Sequence, residues 1–279
     1  MVDNWRSYHG TMAVVAMENV MNAGKVIDIR GRRLGGETPL ICSPLVGRTR
    51  DGVLAEAAIV VAAKPDVIEW RVDFFEAVGD TAAILDTGRA LRAVAGDTPI
   101  IFTRRSAREG GEPAAIDDEG VVRLYDAVGA GHVADLLDFE MGNDPAHVRR
   151  VRVDAHRHGI RVILSYHNFR ETPPREFLAG RFREAERQGG DVAKVAVMPR
   201  TRTDVLELLA ATAQADAECG IPLISMSMGP LGSVTRMVGG VFGSALSFAV
   251  GAGSSAPGQM PIADLRVVFD VVRRASGGC

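Results

Sequence analysis

The residues best suited to chemistry lie in or just after short apolar runs. Asp191-Val192-Ala193-Lys194-Val195-Ala196-Val197-Met198-Pro199 has the β-branched content and length of a buried strand, with a primary amine in its middle. An apolar enclosure disfavours the charged form of such an amine and leaves more of the neutral nucleophile that imine chemistry on a ketone or aldehyde requires. A snorkelling or edge lysine is the plain alternative, so the surroundings must decide. Glu69, Arg71 and Asp73 alternate in Glu69-Trp70-Arg71-Val72-Asp73, and a strand there points all three to one face. His167 follows the apolar run in Ser165-Tyr166-His167-Asn168-Phe169, and imidazole suits proton transfer near neutrality.

Three further stretches carry polar groups that could bind a ligand. Thr103 to Glu112 is a charged, glycine-containing loop holding Arg104, Arg105, Arg108 and Glu109, and because neighbours alternate only one of Arg104 and Arg105 can face inward. Arg236 follows Ser225-Met226-Ser227-Met228-Gly229 and could grip a carboxylate in bidentate fashion, whereas the methionines read as packing. Ser254-Ser255-Ala256-Pro257-Gly258-Gln259 is a small polar loop able to hydrogen-bond a hydroxylated or carboxylated ligand.

These groups need a scaffold, and the chain supplies a repeating one. Strand-like runs fall at Leu40–Pro44, Val67–Val72, Pro99–Thr103, Leu136–Glu140, Arg161–Tyr166, Val192–Val197, Pro222–Met226 and Val241–Ala249. Helical periodicity occupies about 51–64, 80–95, 118–131, 144–159, 174–189, 201–219, a short piece near 233–238, and 262–275. Strand and helix alternating about every 30 residues predict parallel βαβ units, and eight of them predict a (β/α)8 TIM barrel in a single domain over residues 25–279. A doubly wound open sheet binding a dinucleotide would show G-x-G-x-x-G after an early strand, and none follows Leu40–Pro44. In a barrel the catalytic groups gather at the carboxyl ends of the strands and in the loops that follow, a rule that singles out the strand-end and loop residues above as candidates. Residues 1–24 read as an N-terminal extension, and Val26 to Glu37 as a short strand or hairpin ahead of the barrel.

With 47% hydrophobic and 24% charged residues the chain has material for a large core, and a formal charge of -3 argues against a nucleic-acid partner. No run of 18 apolar residues and no basic leader appears, so the sequence predicts neither a membrane span nor a signal peptide. Cys42, Cys219 and Cys279 are odd in number and widely spaced, which fits a reducing cytoplasm better than disulfides or structural zinc. No H-x-x-x-H or H-E-x-x-H pattern occurs, so no metal is expected.

Taken in order, Glu-Trp-Arg-Val-Asp, Arg-Ser-Ala-Arg-Glu-Gly-Gly-Glu, Ser-Tyr-His-Asn-Phe, Lys-Val-Ala-Val-Met-Pro, Ser-Met-x-Met-Gly, Val-Phe-Gly-Ser-Ala and Ser-Ala-Pro-Gly-Gln closely resemble type I 3-dehydroquinate dehydratase over residues 38 to 275. The resemblance implies a (β/α)8 hydro-lyase of the shikimate or quinate pathway, usually a homodimer, acting on 3-dehydroquinate without metal or organic cofactor. It implies that Lys194 forms the imine, His167 moves protons, and Glu109 orients that histidine. Glu69, Arg71, Arg105, Arg236, Ser255 and Gln259 match substrate-binding positions, with Arg236 taking the carboxylate. Departures from the pattern are Arg104, beside Arg105, in place of an apolar or aromatic residue, Gly240 in place of a glutamate, and Ser43 or Pro44 where some members use a serine. An imine-forming aldolase on a phosphorylated sugar or keto acid, and a non-catalytic ligand-binding barrel, are the rival readings. The first lacks the glycine-rich phosphate loops expected after strands seven and eight, and the second has no need of both His167 and Lys194.

Overall fold

The computed structural model describes residues 25–276, so the expected extension over 1–24 and Cys279 lie outside the described residues. The described chain begins with an antiparallel hairpin, β1 (Ile27–Ile29) against β2 (Arg32–Leu34). Arg30 and Gly31 join the strands at φ 50° and 77°, the two left-handed positions that a two-residue turn needs to match right-twisted strands. Asp28 steadies it by accepting the Gly31 N–H at 3.0 Å.

Eight parallel strands follow: β3 (Leu40–Leu45), β4 (Val67–Arg71), β5 (Ile100–Thr103), β6 (Leu136–Glu140), β7 (Arg161–Asn168), β8 (Val192–Val197), β9 (Leu223–Ser227) and β10 (Leu246–Phe248). Their order is β10-β3-β4-β5-β6-β7-β8-β9, and a parallel bridge from Leu223 to Ser244 brings the two ends together. Ala245 N–H donates to the Leu223 carbonyl at 2.7 Å across that seam. Around the sheet run α1 (Arg50–Ala62), α2 (Thr81–Ala95), α3 (Asp118–Ala130), α4 (Pro145–Arg157), α5 (Arg175–Arg187), α6 (Arg202–Glu218), α7 (Gly229–Val238) and α8 (Ile262–Ala275). The expected (β/α)8 barrel is therefore the fold. Thr49, Asp80, Asp117, Asp144 and Thr201 start five of the helices by accepting first-turn N–H groups that have no partner inside the helix.

Boundaries differ from the sequence reading where glycine intervenes. The last strand spans Leu246–Phe248 rather than 241–249, because Gly239–Phe242 form a 3-10 turn and Gly243 takes φ 101°. The short helix starts at Gly229, not near 233, since Gly229 turns the chain at φ 72° and Pro230 is preset for a first helical turn.

Inward-facing residues make a barrel of two halves. Val67, Ile101, Leu136, Ile163, Val192 and Ile224 form the lower layer, and Ile29 and Leu34 of the hairpin pack against it as an apolar plug. Two residues further along each strand the layer becomes Glu69, Thr103, Asp138, Ser165, Lys194 and Met226, all buried. Outside the sheet, Trp70, Phe102, Tyr125 and Phe139 pack edge to face with centroids 5.4 to 5.6 Å apart. Tyr125 also accepts the Arg104 N–H and donates to the Asp138 carbonyl, tying β5 to β6 just below the upper rim.

Candidate active site

A cavity opens in the upper half of the barrel. Eight of the nine sequence-derived site residues line it: Glu69, Arg71, Arg105, His167, Lys194, Arg236, Ser255 and Gln259. Glu109, the ninth, lies behind His167 and touches it directly.

Lys194 projects from β8 with 4% of its side chain exposed. The apolar enclosure expected from its strand is only part of its setting. Phe248 faces Nζ with its ring centroid at 4.6 Å, but Asp138 Oδ2 accepts from Nζ at 2.7 Å and Glu69 Oε1 stands at 3.5 Å. The strand's own neighbours in sequence could not reveal this, because the carboxylates come from other strands, Asp138 from β6 two strands away and Glu69 from β4 across the barrel.

His167 is the penultimate residue of β7, which runs two residues beyond its expected end at Tyr166 to Asn168. One oxygen of Glu109, Oε2, meets both His167 Nδ1 and the His167 backbone N–H at 2.9 Å. That fixes the ring and leaves Nε2 available to a ligand. Burial pushes the histidine well below its ordinary 6.5, and the Arg105 and Lys194 cations push the same way. Burial pushes Glu109 up to about 8 against the pull of Arg105, with Glu140 and Asp138 adding to the rise.

The three arginines differ in what they hold. Arg71 grips Asp73 through two bonds of 2.8 Å, so the expected stripe of three charges resolves into Glu69 and Arg71 on the cavity with Asp73 behind. Arg105 reaches Asp138 at 2.7 Å, Ser165 at 2.9 Å and Glu140 at 3.2 Å; burial disfavours its charge, but these carboxylates outweigh burial and raise its pKa. Arg236 is 1% exposed and has no carboxylate partner among the described residues. It reaches the Phe248 and Pro257 carbonyls at 3.4 Å, its Nε is unbonded, and burial lowers its pKa to about 10. A buried cation so poorly matched is a site prepared for an external anion.

Ser255 and Gln259 belong to a loop that closes on itself. Gln259 Oε1 accepts from Ser254 Oγ at 2.9 Å and from Ser255 N–H at 3.3 Å, and Gly229 N–H donates to Pro257 O at 3.0 Å. Arg104 points away from Arg105, as strand alternation requires, into a separate outer depression with Asp118, Asn143 and His147. Ser43 is buried and does not line the cavity. Sequence reading passed over Asp138, Glu140, Ser165, Phe169 and Phe248. The i, i+2 spacing of Asp138 and Glu140 inside an apolar run is the same signal that marked Glu69 and Arg71. Among the described residues no group of three or more histidine, cysteine or acidic side chains could hold a metal.

An eight-stranded parallel barrel with an enclosed amine, a histidine–carboxylate pair and an unmatched guanidinium at its upper end defines a (β/α)8 enzyme built for an anionic small molecule. The Type I 3-dehydroquinase family model matches residues 41–276, and the chain belongs to that family. A 3-dehydroquinate dehydratase of Albidiferax ferrireducens is 54% identical over 258 residues, covering 92% of this chain and 98% of the relative. The crystal structure of 3-dehydroquinate dehydratase from Geobacillus kaustophilus superposes with a TM-score of 0.88 at 45% identity, covering 90% of this chain and 98% of that one. A type I enzyme from Clostridium difficile, solved with covalently modified comenic acid, gives a TM-score of 0.87 at 34% identity, over 90% and 99% of the two chains.

Proposed function

We propose that this protein dehydrates 3-dehydroquinate to 3-dehydroshikimate through an imine on Lys194, as a step of the shikimate or quinate pathway. The observation that carries the reading is one cavity lined by Lys194, His167 and the unmatched Arg236. Arg236 takes the substrate carboxylate and sets the ketone toward Nζ. The amine lone pair forms the C–N bond while the carbonyl π pair moves to oxygen, which is protonated and leaves as water. The resulting protonated imine draws electrons from the adjacent carbon, so His167 Nε2 can take a proton that neutral water could not remove. Those electrons form the C=C bond as the hydroxyl leaves, and protonated His167 returns its proton to the departing oxygen. Water then hydrolyses the imine and restores the amine. Glu109 acts on Nδ1 to keep Nε2 free, while Glu69, Ser255 and Gln259 contact the substrate's hydroxyl groups. Arg71 and Arg105, already paired, hold the cavity wall and its field. The homodimer and cytoplasmic setting belong to the same proposal, and sedimentation of a monomer would remove the first.

Adding 3-dehydroquinate and following the conjugated enone by ultraviolet absorbance tests the reaction, and borohydride reduction tests the imine. The expected result is rising absorbance and a reduced adduct on the peptide containing Lys194. Absence of both in the wild-type protein overturns the proposal. Lys194→Ala is expected to abolish turnover and adduct while keeping the fold.

A further inference from the structure

We infer that Asp138 is the permanent counter-carboxylate of the reacting nitrogen, a residue working with Lys194 throughout the covalent cycle and not only a partner of Arg105. The inference rests on the imine reading above and on how Asp138 is held. It is fully buried on β6, and its Oδ1 accepts from Arg105 Nη2 and from Ser165 Oγ, each at 2.7 Å. Its Oδ2 is left to Lys194 Nζ, also at 2.7 Å. Three donors thus fix both oxygens, and Ser165 is itself fixed by an N–H from Arg105 at 2.9 Å.

Glu69 is the other carboxylate near the amine, but it cannot serve in the same way. Its Oε1 stands 3.5 Å from Nζ and already accepts from Thr103 Oγ1 at 2.9 Å. Glu69 also lines the cavity, where a bound ligand competes for it, whereas Asp138 is not among the lining residues. A ligand that reaches Nζ therefore arrives on the side away from Asp138 and leaves the Asp138 contact intact. When Nζ attacks a carbonyl and the carbinolamine loses water, the nitrogen retains one N–H in the protonated imine. Asp138 Oδ2 is placed to accept it, which keeps the positive charge that makes the imine an electron sink.

The charged and titratable groups facing Lys194 are Asp138 from β6, Glu69 from β4, His167 from β7, Arg105 beyond β5 and the Cys42 thiol from β3. Removing Asp138 leaves the amine with one carboxylate at longer range and with the Arg105 cation still near. Reductive labelling of Lys194 by glyoxylate and cyanoborohydride, read by peptide mass across pH, measures this without using dehydratase activity. In Asp138→Asn the pH of half-labelling is expected to fall by about one unit or more, as loss of a contact carboxylate predicts. Turnover of 3-dehydroquinate is expected to drop about 100-fold in kcat with KM changed less than about threefold, the pattern of a group acting after binding. An unchanged labelling profile in a folded Asp138→Asn protein overturns the inference and makes Asp138 a structural partner of Arg105. Should that variant fail to fold, a crystal structure of the wild-type glyoxylate adduct decides: Oδ2 within hydrogen-bond reach of Nζ supports the inference, and Nζ turned away overturns it. Failure of wild-type protein to dehydrate 3-dehydroquinate would instead count against the substrate assignment, and the glyoxylate arms would still read the Asp138 contact.

Discussion

Two buried arginines in one cavity have opposite energetics, because one is matched and the other is not. Arg71 holds Asp73 through two 2.8 Å bonds, and Asp73 Oδ1 and Oδ2 also accept the Arg105 and Glu112 backbone N–H groups. Removing Arg71 strands a carboxylate that is wholly inaccessible, and breaking a buried pair of this kind costs about 3–5 kcal/mol. Arg236 leaves no stranded partner, since its present acceptors are two carbonyls at 3.4 Å and a methionine sulfur at 3.7 Å. Arg71→Met is therefore expected to lower the melting temperature by several degrees, while Arg236→Met leaves the ligand-free protein as stable as the wild type or more so. The order reverses with ligand. Arg236→Met loses about 2–3 kcal/mol of binding for a carboxylated substrate, read as a rise of roughly 30- to 150-fold in KM or Kd, in keeping with a charge-assisted bond. Equal destabilisation by the two changes in thermal denaturation would mean that Arg236 is matched after all.

The elements that place these side chains were legible in the sequence to different degrees, for physical reasons. Seven of the eight barrel strands fall within about two residues of their expected positions because a strand covered on both faces is apolar throughout and bounded by turn residues. The eighth differs because Val241 and Phe242 read as strand residues while the glycines around them dictate a tight turn. Partners on other strands were illegible: nothing in Leu136-Leu137-Asp138 says that its carboxylate meets Lys194 on β8. The loop after β5 shows how one element governs a distant contact. Its 3-10 turn, Ala107–Glu109, brings Glu109 to His167, and Ser106 fixes the turn through Glu140. A Cβ on Gly111 would lie 2.1 Å from the Arg105 carbonyl oxygen, so Gly111→Ala must shift this loop. Kcat is expected to fall by roughly 10- to 100-fold, as for loss of an orienting partner, with a normal imine trap at Lys194. At the opposite end Leu34 is 1% exposed in the lower plug, and Leu34→Ala is expected to cost about 2–5 kcal/mol in denaturant unfolding with kcat unchanged.

At the scale of the whole molecule, the charged upper half sets how stability and activity vary with pH, and it sets them against each other. As pH falls from about 8, folded Glu109 takes up a proton that the unfolded chain, with a carboxyl near 4.5, does not bind. Stability therefore rises on the way down to 6.5, by about 2 kcal/mol over that interval if the group titrates fully. Below 6.5 the unfolded chain protonates His167, which burial and the Arg105 and Lys194 cations keep neutral in the fold. Each state then carries one proton on the pair, and the slope vanishes. Below 4.5 the unfolded carboxyl of Glu109 also protonates, so stability declines. Asp138 steepens that decline below 3.8, because Arg105 and Lys194 overcome burial and keep it ionised in the fold. Denaturant midpoints from pH 3 to 9 should trace a plateau between about 4.5 and 6.5 with a fall on each side. The reaction wants the other protonation state. His167 Nε2 is free to accept a proton only when Glu109 is ionised and holds Nδ1–H, so kcat/KM should climb as pH rises toward and through about 8. Glu109→Gln separates the two effects: the stability gain between 8 and 6.5 disappears, loss begins at 6.5 on the acid side, and the alkaline rise in kcat/KM is gone. A wild-type protein whose midpoint stays constant from 6.5 to 8 would show that Glu109 is already ionised in the fold, and the pair would then take its proton on the histidine.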